Sequence, residues 1–280
     1  MLTPPYTRYD QLYVYNFDKI DIGQVDDPDL IGIWIEDDTA ILFFHKEKQE
    51  LVKKICTRSG AKIIYEANLN YQDWEAGLDI TTFSVPPLIV APLWEEDLLT
   101  EKEEEIPIRL DPSVIFGSGF HPTTRLCLQT ITDIMGSNPD SIKSMVDLGT
   151  GTGLLSLGAA KLGVNQIRSY DNNPFACSVA RKNVALNSCE DHITVLETDL
   201  RGALPDTHVD LLVANLYKGL LLDFFGNPDF WNAKYYIISG FTPSMEEDLL
   251  AALPMDKLKL LERRKSETWR LWLLANSIVK

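Results

Sequence analysis

The sequence predicts an α/β protein, a doubly wound and mostly parallel sheet preceded by a small α+β unit. Three observations carry the prediction. From about residue 122, helix-like and strand-like runs alternate regularly, as they do where parallel strands are joined by crossing helices. The last two strand-like runs, Leu258–Glu262 and Trp269–Leu274, have no helix between them and should pair as an antiparallel hairpin at the sheet edge. Between the region's first strand-like run and the helix after it stands Asp147-Leu148-Gly149-Thr150-Gly151-Thr152-Gly153. Three glycines at that spacing make a turn that neither a strand nor a helix would keep.

The elements follow in order. Ile31–Ile35 and Ala40–Phe44 flank Glu36-Asp37-Asp38-Thr39, a turn-forming tetrad that predicts a hairpin. Leu51, Val52 and Ile55 share one face of a helix predicted over Glu47–Thr57. A strand over Lys62–Tyr65 follows Gly60 and completes a small α+β domain, residues 1–70. Residues 71–110 read as linker and connecting strands, with an apolar strand at Leu88–Leu93 and an acidic run at Glu101–Glu105. Residues 111–280 carry a helix over Thr123–Met135, a strand over Ser144–Leu148, a helix over Leu154–Leu162 and a strand over Gln166–Tyr170. Then come a helix over Pro174–Leu186, a strand over Ile193–Glu197, a strand over Val209–Ala214 and a helix from Lys218. A strand over Tyr235–Ser239 and a helix over Pro243–Leu253 lead into the final hairpin. Seven strands ending in that hairpin form the Rossmann-like architecture common to class I methyltransferases. A fold does not by itself give a function.

Composition narrows the class. At 280 residues, 45% of them apolar, the chain is comfortable as two domains with ample core. No stretch approaches the ~18 uninterrupted apolar residues of a membrane span, and Met1-Leu2-Thr3-Pro4-Pro5-Tyr6 lacks a signal pattern. Cys56, Cys127, Cys177 and Cys189 are scattered without C-x-x-C spacing and read as reduced core thiols, not as disulfides or metal ligands. A cytoplasmic protein without metal or membrane is the expectation. Its acidity is lopsided: residues 1–110 hold 22 acidic and 10 basic residues, a net of −12 within the chain's −15. Such a half suits a lysine-rich protein partner and repels nucleic-acid phosphates, although ordinary surface solvation is the plainer reading of the same charges.

The glycine turn carries chemistry. Side chains at Gly149, Gly151 and Gly153 would fill the space of a ligand lying on the backbone. Eighteen residues past Gly153, a strand ends at Asp171, where an acid accepts hydrogen bonds from both hydroxyls of a ribose. The spacing is G-x-G-x-G with Asp147 two residues ahead and nothing basic nearby, whereas a dinucleotide turn is G-x-G-x-x-G with the helix end facing a pyrophosphate. This pattern suits S-adenosyl-L-methionine, which has no phosphate and carries a cationic sulfonium. All these motifs lie at or beyond residue 110, which predicts that the second domain holds the cofactor unaided.

Two further segments, Leu110 to Thr124 (with Phe116-Gly117-Ser118-Gly119-Phe120-His121-Pro122-Thr123-Thr124) and Asp210 to Gly219 (with Ala214-Asn215-Leu216), join the glycine turn in one pattern. Together they resemble the PrmA family, methyltransferases of the large-subunit ribosomal protein L-eleven. The resemblance extends to a glycine-x-tryptophan hairpin at Gly32-Ile33-Trp34 and to Trp269 near the last strand. It implies that Thr124, Gly149, Asp171 and Asn215 contact the cofactor. Gly151 of the turn is expected beside them, and Asp199, at the end of the third strand, stands where class-typical methyltransferases meet the adenine amino group. It also implies a basic protein substrate, a large-subunit ribosomal protein methylated on lysine and N-terminal amines, docked by the N-terminal domain without direct nucleic-acid contact. Ser118 replaces a usual threonine, Asn173 a usual aspartate, and the linker after Asp73-Trp74-Glu75-Ala76-Gly77 lacks a second tryptophan.

Amine methylation asks for alignment and desolvation more than for a strong base. No single general base is named; Asn215 and His121 are the catalytic candidates. The plainer readings stay beside these: Asn215 as a helix cap, His121 as a turn residue, Gly117 and Gly119 as a tight turn instead of a flap. A methyltransferase acting on another protein or a small metabolite, and a non-catalytic module binding a basic partner, are the alternative functions.

Overall fold

A computed structural model describes residues 9–36, 38–74, 79–99, 104–137, 141–202 and 204–277. Asp37 of the predicted hairpin turn, Glu75 to Gly77 of the linker, Glu101 to Glu103 of the acidic run and the first eight residues lie outside the described residues.

The N-terminal part opens with β1 (Gln11–Phe17), then β2 (Leu30–Glu36), β3 (Thr39–Phe44), α1 (Gln49–Ser59) and β4 (Ile63–Asn70). They form an antiparallel sheet of order β2-β3-β1-β4. The predicted hairpin and helix are there; β1, a central strand, was not foreseen. The reason is that both its faces are covered. Tyr15 and Phe17 pack under α1 with Val52 and Ile55, while Leu12 and Val14 face the rest of the molecule with Phe43 and Val114. A strand buried on both sides shows no polar alternation.

Residues 71–110, expected as connecting structure, hold a short α2 (Tyr71–Trp74) and three strands, β5 (Phe83–Val85), β6 (Leu88–Pro92) and β7 (Ile106–Leu110). These make a separate three-stranded sheet. Val85, Leu88, Val90, Ile108 and Leu110 enter the same core as Leu128, Leu157 and Ile237, so this segment is built into the main body.

The remaining elements are α3 (Pro122–Ser137), β8 (Ser144–Leu148), α4 (Leu154–Lys161), β9 (Gln166–Asp171), α5 (Pro174–Leu186), β10 (Ile193–Glu197) and β11 (Leu211–Asn215). They continue through α6 (Lys218–Phe225), β12 (Tyr235–Phe241), α7 (Pro243–Ala251), β13 (Leu258–Ser266) and β14 (Trp269–Asn276). The seven-stranded sheet has order β10-β9-β8-β11-β12-β14-β13, parallel except for β14, which runs antiparallel to both its neighbours, β12 and the edge strand β13. Successive residues of one strand serve opposite faces. Leu211 and Val213 join the core containing α3 and α4, Leu212 and Ala214 the core containing α6 and α7; Leu271, Trp272, Leu273 and Leu274 alternate the same way. Helix α5 starts where Asn173 accepts from the Phe175 N–H at 2.9 Å and Pro174 fills the first turn.

Candidate active site

The sheet order reverses between β8 and β11, and a crevice opens at the carboxyl ends of the strands there, as such reversals require. A cavity of about 800 Å³ occupies it, lined by Gly149 and Gly151 after β8, Asp171 at the end of β9, Asp199 after β10, Asn215 at the end of β11 and Gly240 in β12. His121 and Thr123 line it from the start of α3, and Trp269 from β14.

The glycine turn is shaped by what lies on it. Gly149, Gly151 and Gly153 have φ of 74°, 55° and 84°, a region that side chains disfavour. A Cβ on Gly151 would overlap the Phe116 carbonyl. That carbonyl accepts from the Thr152 N–H at 3.1 Å, and the Thr152 hydroxyl donates to the Gly117 carbonyl at 2.7 Å. The loop before α3 is therefore fastened to the turn. Arg125 holds its far end, donating to the Gly119 carbonyl at 3.1 Å while its guanidinium lies 3.9 Å from the centre of the Phe83 ring.

Asp171 receives the Gly151 N–H at 3.0 Å on one carboxylate oxygen and the Asn173 N–H at 3.0 Å on the other. A carboxylate offers about four acceptor positions; with the Asn172 N–H also directed at it, capacity remains for a further donor. Burial raises the Asp171 carboxyl above its ordinary range, and the backbone N–H groups oppose the rise. Asp147 is different. Only 1% exposed, it accepts from Thr150 and Ser156 at 2.7 Å each, and burial pushes its carboxyl up to about 6. It is not a lining residue: the acid read as favouring a cationic ligand braces the turn from beneath.

Of the remaining sequence candidates, Asp199 lines the cavity but its Oδ1 also accepts from the backbone and side chain of Arg201, at 3.0 and 3.1 Å. Thr124 is not a lining residue; Thr123, one step round the helix, takes that place. Thr124 is 2% exposed, and its Oγ1 has no hydrogen-bond partner, an orphan of the kind an unfilled ligand contact leaves. His121 stands between Phe116 and Trp269, with ring centroids 5.0 and 4.8 Å away. Its Nδ1 accepts from the Thr123 N–H at 3.3 Å, with the Thr123 hydroxyl 2.7 Å away. In the neutral ring the proton then sits on Nε2, which can donate but not accept. Burial lowers its pKa, with Glu267 opposing, so the neutral form holds at pH 7.

Sequence reasoning missed several lining residues. Phe116 and Tyr217, 50% and 61% exposed, and Trp269 give the cavity an aromatic rim. Trp34 and Ile35 reach it from β2, more than 70 residues before the first recognised motif. Only the resemblance's Gly32-x-Trp34 pattern hinted at them.

An open parallel sheet with an antiparallel edge hairpin, a glycine turn after its first strand and a ribose-type acid after its second defines a Rossmann-like class I methyltransferase fold. A model of the family "Ribosomal protein L11 methyltransferase (PrmA)" matches residues 33–276. The chain belongs to that family. It is 35% identical over 189 residues to the ribosomal protein L11 methyltransferase of Carboxydothermus hydrogenoformans, covering 66% of this chain and 59% of that one. With the protein of the same name from Desulfitobacterium hafniense it shares 36% over 185 residues, 65% of this chain and 56% of that one. The match thus spans a little under three-fifths of these relatives' length. The crystal structure of ribosomal protein L11 methylase from Lactobacillus delbrueckii subsp. bulgaricus superposes with a TM-score of 0.61 at 27% identity, covering 70% of this chain and 98% of that one.

Proposed function

We propose that the chain is an S-adenosylmethionine-dependent protein N-methyltransferase acting on lysine and N-terminal amines of a basic, large-subunit ribosomal protein. The observation that carries the cofactor half is Asp171, half-buried at a strand end beyond the glycine turn with acceptor capacity left over. The residues suit the group. Gly149 and Gly151 line the cavity and would meet its amino-acid part with backbone. Asp171 would take the ribose and Asp199 the adenine edge, and the buried Thr124 hydroxyl has no partner within the protein. When bound, the cofactor supplies an electrophilic methyl on a good leaving group.

The protein's own residues then have three tasks. They exclude water, through the aromatic rim of Phe116, Tyr217 and Trp269. They orient the amine along the line to the methyl, for which the Asn215 side chain is available, having no hydrogen-bond partner among the described residues. They favour a neutral amine, since a lysine of ordinary pKa about 10.4 loses charge more easily in a desolvated pocket. His121, with its proton on Nε2, donates a hydrogen bond and does not take the amine's proton.

The substrate half is supported by family membership, the names its relatives carry and the acidic N-terminal part. No helix among the described residues is long and apolar enough to cross a membrane, and no cluster there could hold a metal. We propose a cytoplasmic site of action, no membrane, and no direct nucleic-acid contact. The test is incubation with labelled cofactor and isolated large-subunit ribosomal proteins, with mass spectrometry of the product, beside calorimetry with S-adenosylhomocysteine and NAD. Mass gains in steps of one methyl on one basic protein, and binding of S-adenosylhomocysteine but not NAD, are expected. NAD binding alone would overturn the reading.

A further inference from the structure

We infer that the N-terminal hairpin is a wall of the cofactor site: Trp34 covers the side of the cavity formed by Asp171 to Asn173, and Gly32 on Phe175 keeps it there. This rests on the reading of the cavity as an S-adenosylmethionine site.

Gly32 and Trp34 are two residues apart on β2 and so share a face. That face meets the start of α5. A Cβ on Gly32 would overlap the Phe175 ring, so a side chain there would force the ring or the strand to move. One strand repeat further on, Trp34 packs against Ile115, Ala176 and Val179, together with Phe175. Ile115 belongs to the loop fastened over the glycine turn, and Ala176 stands five residues beyond Asp171; both line the cavity beside Trp34. The indole thus spans the two elements that flank the ribose acid, and it offers a flat apolar surface to a nucleoside.

The sheet that carries β2 is held there by hydrogen bonds from residues flanking β1 and β4 to the loop just before Ile115. The Tyr9 hydroxyl donates to Asp111 Oδ1 at 2.9 Å, and Lys182 pairs with Oδ2 of the same carboxylate at 2.6 Å, where Asp111 is 1% exposed. Tyr71 donates to the Ser113 carbonyl, and Trp74 Nε1 to the Val114 carbonyl at 3.2 Å. Asn183, fully buried, ties the Asp111 carbonyl to the Thr152 carbonyl through its amide at 2.9 Å each. Position of the N-terminal sheet and shape of the cofactor turn are joined in one network, and the glycine-x-tryptophan spacing is the strand spacing that aims the indole into it.

The test is calorimetry of the full chain with S-adenosylhomocysteine, with urea unfolding of each variant as the check on folding. Trp34→Ala should weaken binding by about tenfold, the loss usual for a large ring removed from a ligand wall, with the urea transition still cooperative. Gly32→Ala should weaken binding comparably by displacing Phe175 and the strand, and the double variant Gly32→Ala with Phe175→Ala should bind as Phe175→Ala alone does. Wild-type affinity in folded Trp34→Ala and Gly32→Ala would overturn the inference and reduce Trp34 to interface packing. If the wild-type chain itself does not bind S-adenosylhomocysteine, the cofactor reading falls first. Should Trp34→Ala fail to fold, recovery in the double variant supports the inference, and wild-type affinity in Gly32→Ala alone overturns it.

Discussion

Asp147 shows how one residue can serve a site without touching it. Its carboxylate takes two hydroxyl donors under the turn, with Ser169 2.8 Å from the second of them. The cost is a buried charge. Burial holds the folded carboxyl at about 6 against an ordinary 3.8. The folded state therefore binds this proton more tightly than the unfolded chain does. The proton's contribution to stability is complete below about pH 4 and is lost as pH rises through 6, to at most about 3 kcal/mol. Asp147→Asn keeps an oxygen for Thr150 and Ser156 and has no charge to bury. Its urea midpoint should exceed the wild-type value at pH 7.5 and converge on it at pH 4. An unchanged difference between the two proteins across that range would mean that Asp147 titrates as an exposed acid does.

Among the elements, the loop from Asp111 to Phe120 governs the site's shape. It is fastened by Thr152 in the middle and by Arg125 at its end. Gly151→Ala would put a methyl into the Phe116 carbonyl at a φ of +55°, so the loop must lift. A stability loss of about 1–3 kcal/mol and a fall in S-adenosylhomocysteine affinity of at least tenfold are expected. Gly163→Ala is the control, because Gly163 has φ +104° and nothing within 4 Å of its would-be Cβ: it should lose stability and keep affinity. Equal affinity losses in both would show that the lesion is general unfolding. The elements legible beforehand were those with local signatures. β8 announced itself by the glycines after it, and the edge hairpin by its missing helix. β1, β5 and β7 were not legible, since short strands covered on both faces or tucked under a neighbour carry no alternation. Thr124 and Thr123 could not be told apart either, because which of two adjacent hydroxyls faces a crevice is decided by where α3 sits.

For the whole molecule, the contacts that matter most join residues far apart in the chain. Tyr9 and Asp111 are separated by 102 positions, and no local pattern reports such a pairing. Charge, by contrast, is legible at a glance and acts over the surface. Asp29 is tied to Lys46 and Lys48, but Asp18, Asp21, Asp26, Glu47, Glu66 and Asp73 are exposed. Exposed charges of one sign raise the encounter rate with a basic protein, and salt screens them over about 8 Å at physiological ionic strength. The cofactor contacts are short and buried, and screening leaves those largely intact. Raising salt from about 50 to about 500 mM should therefore raise the KM for a lysine-rich protein substrate severalfold, while the dissociation constant for S-adenosylhomocysteine changes less than about twofold. Substituting Asp18, Asp21 and Glu66 by the neutral amides should flatten the first dependence and leave the second alone. If the protein substrate's KM ignores salt, or cofactor and substrate weaken together, the acidic surface is only solvated and capture rests on contacts of another kind.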